Sequence, residues 1–156
     1  MENNLLYTKK NLVSNVKLII DETAPLVSNL SNISRVIYES MTDTSWCGFY
    51  LADEVNRILY LAPFQGPVAC TKIAIGKGVC GNSYQKMKTE IVPNVHEYPG
   101  HIACSDLTNS EIVVPLIRNN QCLGVLDLDS EKFNNYDVED AKLLEAVVKE
   151  IVHLIK

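Results

Sequence analysis

The sequence is short of positive charge: 14 Lys and Arg stand against 19 Asp and Glu in 156 residues, a net charge of −5. That balance argues against nucleic acid or an anionic membrane as a partner, since both need clustered cations. No uninterrupted apolar run approaches the roughly 20 residues that cross a bilayer. The start, Met1-Glu2-Asn3-Asn4, has neither the basic nor the apolar segment of a secretory signal. Internal repeats, low-complexity tracts and linkers are missing as well. The reading is therefore one cytoplasmic domain spanning residues 1–156, and a homodimer stays compatible with it.

Motifs for common cofactors are also lacking. The Walker pattern and the dinucleotide fingerprint do not occur, so Gly76-Lys77-Gly78-Val79-Cys80-Gly81 is a poor phosphate cradle. The five cysteines (Cys47, Cys70, Cys80, Cys104 and Cys122) are odd in number and contain no Cys-x-x-Cys pair. A structural disulfide framework is unexpected in such a chain. Zinc held by Cys70, Cys80, His96, His101 and Cys104 is a weak alternative at these spacings.

The patterning predicts an α+β domain. Apolar residues recur at helical spacing over Leu12–Ile20 and Ala24–Met41, with Pro25 expected in the first turn of the second helix. Asp137 caps a C-terminal helix running to about Ile155. Between them, short β-branched or apolar segments predict strands at Trp46–Leu51, Ile58–Leu61, Thr71–Ile75, Glu90–Pro93, Glu111–Arg118 and Gln121–Asp129. Asn119-Asn120 suits a tight hairpin turn, and a short helix follows over Val79–Lys86. The result is a central, mostly antiparallel sheet with helices at both ends. The segment 94–110 has little periodicity, and a loop of that length in a compact domain is usually functional.

Two groups of residues could carry chemistry. Asp127 and Asp129, at i and i+2 of the last strand, share one face about 7 Å apart, together with Leu123 and Val125. A strict two-residue turn places Glu111 opposite Leu128, on the other face; a bulged residue at Pro115 would bring Glu111 to the aspartates. The second group is thiols. Cys80 opens a helix behind Lys77, a setting that favours thiolate. Cys104 lies in the irregular loop with His96 and His101, either of which could help ionise it. Cys70 lies in another loop, whereas Cys47 and Cys122 sit inside strands and read as structural.

Taken together, Trp46-Cys47-Gly48-Phe49-Tyr50, Gly66-x-x-Ala69-Cys70, Gly76 to Gly81, Pro99-Gly100-His101-Ile102-Ala103-Cys104, Ser110 to Pro115 and Gly124 to Ser130 resemble the free methionine-(R)-sulfoxide reductase family. The likeness runs from about Ser31 to the C-terminus. It implies a single GAF-like catalytic domain. It implies Cys104 as nucleophile, Cys80 as the usual resolving partner and Cys70 as an auxiliary resolving thiol. By the same resemblance the carboxylates are Glu111, Asp127 and Asp129, and the aromatic wall is Trp46 and Tyr50. Glu111 and Asp129 would then polarise or protonate the sulfoxide oxygen and Asp127 would bind the substrate ammonium. Cys104 would pass through a sulfenic acid to a disulfide recycled by thioredoxin, with no metal or organic cofactor. The sequence departs from the family at Ser105-Asp106, where an acid often follows the nucleophile directly, and at Asn109, where Arg is frequent. The rival reading is a non-catalytic GAF module that senses a small ligand.

Overall fold

In the computed structural model, residues 6–156 are described; the Met1–Asn4 start read above lies outside them. Two helices, α1 (Leu12–Ile19) and α2 (Leu26–Ser40), precede the strands β1 (Trp46–Asp53), β2 (Ile58–Gln65) and β3 (Lys72–Ala74). Helix α3 (Gly78–Lys86) and β4 (Glu90–Val92) lead into the long loop, and β5 (Ser110–Arg118), β6 (Gln121–Ser130) and α4 (Val138–Ile151) complete the chain. The strands form one antiparallel sheet in the order β3-β2-β1-β6-β5-β4. The expected α+β architecture is the one observed. Pro25 differs slightly, standing one residue before α2 as its N-cap. Asp137 caps α4 as read, and Asp140 returns the bond to complete a capping box.

Alternation along the strands divides the side chains between two layers. Cys47 and Phe49 of β1, Ile112, Val114 and Leu116 of β5, and Leu126 and Leu128 of β6 pack against the apolar stripes of α1, α2 and α4. In α2 that stripe is Leu30, Ile33, Val36 and Ile37. The opposite face holds Trp46, Tyr50, Val113 and Val125, covered by Val79, Cys80 and Tyr84 of α3. Helices on one side fix the sheet, and the other side is left for a site under α3 and the loops.

The hairpin turns at Asn119 and Asn120, both at positive φ (51° and 62°), as its composition predicts. The bulge that Glu111 requires is present, but on the other strand. Pro115 pairs with Val125 and Ile117 with Cys122, so three steps along β6 match two along β5. The extra residue falls at Leu123–Gly124, opposite Leu116 and next to Pro115, which offers no donor to hold a regular ladder. Beyond it Glu111 pairs with Asp129. The same bulge corrects the expected face of Leu123: it packs with the helical core, whereas Val125 stays on the aspartate side. Gly124 is needed at this point because a Cβ there would overlap the Tyr50 carbonyl oxygen of β1.

Candidate active site

Three strands deliver the floor of the site. Trp46 of β1 pairs with Asp129 of β6, which pairs with Glu111 of β5, so the three lie in one row across the sheet. The next row is Gly48, Asp127 and Val113. The bulge and the pleat thus bring all three carboxylates onto one face beside Trp46. Asp127 (5% exposed) and Glu111 (6% exposed) are buried.

Among the described residues, no lysine or arginine pairs with them. Burial first, then the neighbouring carboxylates, raises all three groups, with Glu111 pushed up to about 8. With a value of about 8, Glu111 keeps its proton at neutral pH, and Asp127, raised by burial and by Glu111, lies beside it. Asp127 Oδ1 and Asp129 Oδ1 are buried with no hydrogen-bond partner. Buried polar oxygens are nearly always satisfied, so two orphans on one face signal a site made for a donor from outside the chain.

The walls come from α3 and two loops. Gly78 starts α3 at φ 62°, a conformation that admits glycine far more readily than other residues, and this turn sets Val79 and Cys80 over the carboxylates. Cys80 Sγ lies 4.0 Å from Glu111 Oε1. Cys80 is 4% exposed, and burial, followed by Asp127 and Glu111, raises its thiol well above the ordinary value. The expectation of a helix-stabilised Cys80 thiolate is therefore overturned. Lys77 points into solvent, and the local field is that of carboxylates.

Cys70 and Cys104 are joined by a disulfide with a Cα–Cα distance of 5.5 Å. The structure thus pairs Cys104 with Cys70, while Cys80, the usual partner in the resemblance, is a free buried thiol. Cys47 and Cys122 are also free and buried, as expected of structural residues. With Cys70 and Cys104 bonded to each other, the zinc set read from Cys70, Cys80, His96, His101 and Cys104 loses two ligands in this state.

The aromatic residues do more than line the cavity. Trp46 stacks on Phe64 at 5.3 Å and on Tyr50 at 6.0 Å between ring centroids. Trp46 Nε1 donates to the Pro67 carbonyl at 3.1 Å, and the Tyr50 hydroxyl donates to the Cys70 carbonyl at 2.9 Å. Both bonds tie the Cys70 loop to β1, a positioning role that sequence reading missed. The histidines divide. His101 Nε2 lies 3.6 Å from Glu111 Oε2, and desolvation lowers its pKa, so this contact is not an ion pair at neutral pH. His96 instead contacts Asn109 Oδ1 at 2.8 Å. Asn109, the departure noted above, also donates to the Glu131 carbonyl at 2.7 Å and so fastens the base of the long loop.

Trp46, Tyr50, Cys80, His101, Cys104, Glu111, Asp127 and Asp129 all line one cavity of about 100 Å³, with Val68, Ile102 and Leu107 at its walls. That volume holds roughly seven to ten water-sized positions, the scale of a small metabolite. The GAF domain family matches residues 25–154. The free methionine-R-sulfoxide reductase of Escherichia coli is 42% identical over 134 residues, 86% of this chain and 79% of that protein. Its Saccharomyces cerevisiae counterpart is 48% identical over 130 residues, 79% and 72% of the two chains. The X-ray structure of free methionine-R-sulfoxide reductase from Neisseria meningitidis, in complex with its substrate, is similar at a TM-score of 0.90. It is 41% identical, and the match covers 94% of this chain and 87% of that one. The chain belongs to the GAF domain family, among its free methionine-R-sulfoxide reductases.

The acid cluster of this reductase-family domain has a consequence for stability. Glu111 titrates at about 8 in the folded chain against an ordinary value of 4.5. Between those values the native state holds a proton that the unfolded state has lost, so stability falls as pH rises through this window. Asp127 and Asp129 act in the same direction. Urea midpoints measured from pH 5 to 8 should therefore decline, and Glu111→Gln should make the decline shallower. Equal slopes for the two proteins would remove the buried proton from the account.

Proposed function

We propose that this chain, an oxidoreductase by family, reduces free methionine-(R)-sulfoxide to methionine. The observation that carries the reading is a Cys70–Cys104 disulfide beside a small cavity lined by the carboxylates of Glu111, Asp127 and Asp129. The reduced Cys104 thiolate attacks the sulfoxide sulfur while a carboxylic acid protonates the oxygen. That attack forms an S–S bond. The protonated oxygen then passes to the Cys104 sulfur as the S–S bond and the substrate S–O bond break. Methionine leaves with its sulfur reduced by two electrons, and Cys104 is left as a sulfenic acid, oxidised by two. The Cys70 thiol then attacks the sulfenic sulfur, water leaves, and the disulfide forms. A dithiol such as thioredoxin, in the reducing cytoplasm, restores both thiols by exchange.

Each neighbour has a part in this scheme. Glu111, still protonated near neutral pH, supplies the proton, and Asp129 polarises the oxygen. The free oxygen of Asp127 accepts the substrate ammonium. Trp46 and Tyr50 enclose the methyl group. No cofactor is assigned a step. The disulfide partner is Cys70, bonded in this structure, rather than Cys80, whose sulfur faces Glu111. Cys70→Ser should therefore form about one methionine per chain and then stall with thioredoxin as reductant, since the sulfenic acid lacks its partner. Full multiple turnover in that variant would return the resolving role to Cys80.

Substrate selectivity tests the function itself. A free ammonium can meet the buried carboxylates, whereas a peptide amide leaves them unpaired at a cost of several kcal/mol. Initial rates are compared for the R and S epimers of free methionine sulfoxide and for the R epimer capped as an N-acetyl amide. Turnover of the free R epimer alone is expected. Equal rates on the capped compound would defeat the ammonium site, and no turnover of any of them would favour the sensory GAF reading.

A further inference from the structure

We propose that Cys80, Glu111 and Asp127 also form a binding site for a divalent cation of the zinc class, which competes with the substrate ammonium. The three come from different rigid elements, α3, β5 and β6, and converge beneath the cavity. Their sulfur and carboxylate oxygens lie within 4.8 Å of one another, and Cys80 Sγ to Glu111 Oε1 is 4.0 Å. Tetrahedral zinc, with bonds of about 2.3 Å to sulfur and 2.0 Å to oxygen, separates its ligand atoms by about 3.3–3.5 Å. The cluster therefore closes on a zinc ion with side-chain shifts of about half an ångström and up.

A second observation points to a ligand at the same place. Asp127, 5% exposed, keeps Oδ1 unpartnered against the cavity. One thiolate and two carboxylates suit a borderline cation, whereas Mg²⁺ and Ca²⁺ take larger all-oxygen shells. The cavity leaves the fourth position open. On binding, the thiol proton of Cys80 and the carboxyl proton of Glu111 pass to the buffer, and no electrons move. Closure of Cys70 onto Cys104 leaves this site untouched, because Cys80 stays a free thiol in the oxidised chain.

The oxidised full-length protein is therefore the form to test, since Cys70 and Cys104 cannot ligate in it. Titration with Co²⁺ should raise a thiolate-to-cobalt charge-transfer band saturating at one ion per chain. Zn²⁺ should displace that band and Mg²⁺ should not. Cys80→Ser should abolish the band. Asp127→Asn should weaken binding by more than the roughly 10–100-fold that loss of an outer-shell partner costs. Cys47→Ser and Cys122→Ser should leave the band in place, with free-thiol counts verifying that each variant keeps its disulfide. No band in the wild type, or a band that survives Cys80→Ser, would overturn the site. Competition rests on the proposed function: free methionine sulfoxide should move the Co²⁺ midpoint upward. A band with an unmoved midpoint would overturn the competition while the metal site stands.

Discussion

Cys104→Ser is expected to fold and to reduce no free methionine-(R)-sulfoxide above background. The hydroxyl is close in size to the thiol, but it is almost never ionised at neutral pH and is a far weaker nucleophile toward sulfur. Cys104 lines the cavity, and no other cysteine there can replace it. Cys80 is held protonated by burial and by two carboxylates, and Cys70 belongs to the loop that Tyr50 ties back to β1. The check is methionine formation with excess dithiol, alongside a circular dichroism spectrum. Retention of substantial activity would remove Cys104 from the role of nucleophile.

Glu111→Gln and Asp129→Asn are each expected to lower the rate by roughly 10²–10⁴-fold, the range for loss of a positioned acid. Both substitutions keep the shape of the side chain and remove its titration. The wild-type rate should stay high while Glu111 keeps its proton and fall as pH passes about 8. In Glu111→Gln that descending limb should disappear with the rate already low. Near-normal rates in both variants across pH would put the proton donor elsewhere.

Much of this was legible in the sequence because local rules agreed with the fold. The apolar stripe of α2, the Asn119-Asn120 turn and the Asp137 cap are each decided by residues within one or two turns of chain. The register of β5 on β6 was only half legible. Pro115 announced an irregularity, but the extra residue went to Leu123–Gly124, where β6 also meets the Tyr50 carbonyl of a third strand. No pairwise count contains that contact.

The site shows the same boundary. Glu111, Asp127, Asp129, Cys70, Cys80, Cys104, Trp46 and Tyr50 could all be named, and all of them line the cavity or its disulfide. The state of Cys80 could not be named correctly. A helix start behind Lys77 reads as electropositive, yet the thiol is turned toward carboxylates on strands some 30 and 47 residues further on. The hydrogen bonds from Trp46 and Tyr50 to the Cys70 loop were equally hidden, since their acceptors are backbone carbonyls that any sequence supplies.

A single-turnover reaction tests the central claim most directly. The fully reduced chain, with its five thiols, is mixed with one equivalent of free methionine-(R)-sulfoxide and no reductant. Methionine is then quantified, thiols are counted and the disulfide is mapped by peptide mass. The account predicts one methionine per chain, a fall from five free thiols to the three of Cys47, Cys80 and Cys122, and a Cys70–Cys104 linkage. Absence of methionine, or methionine formed with all five thiols intact, would contradict it.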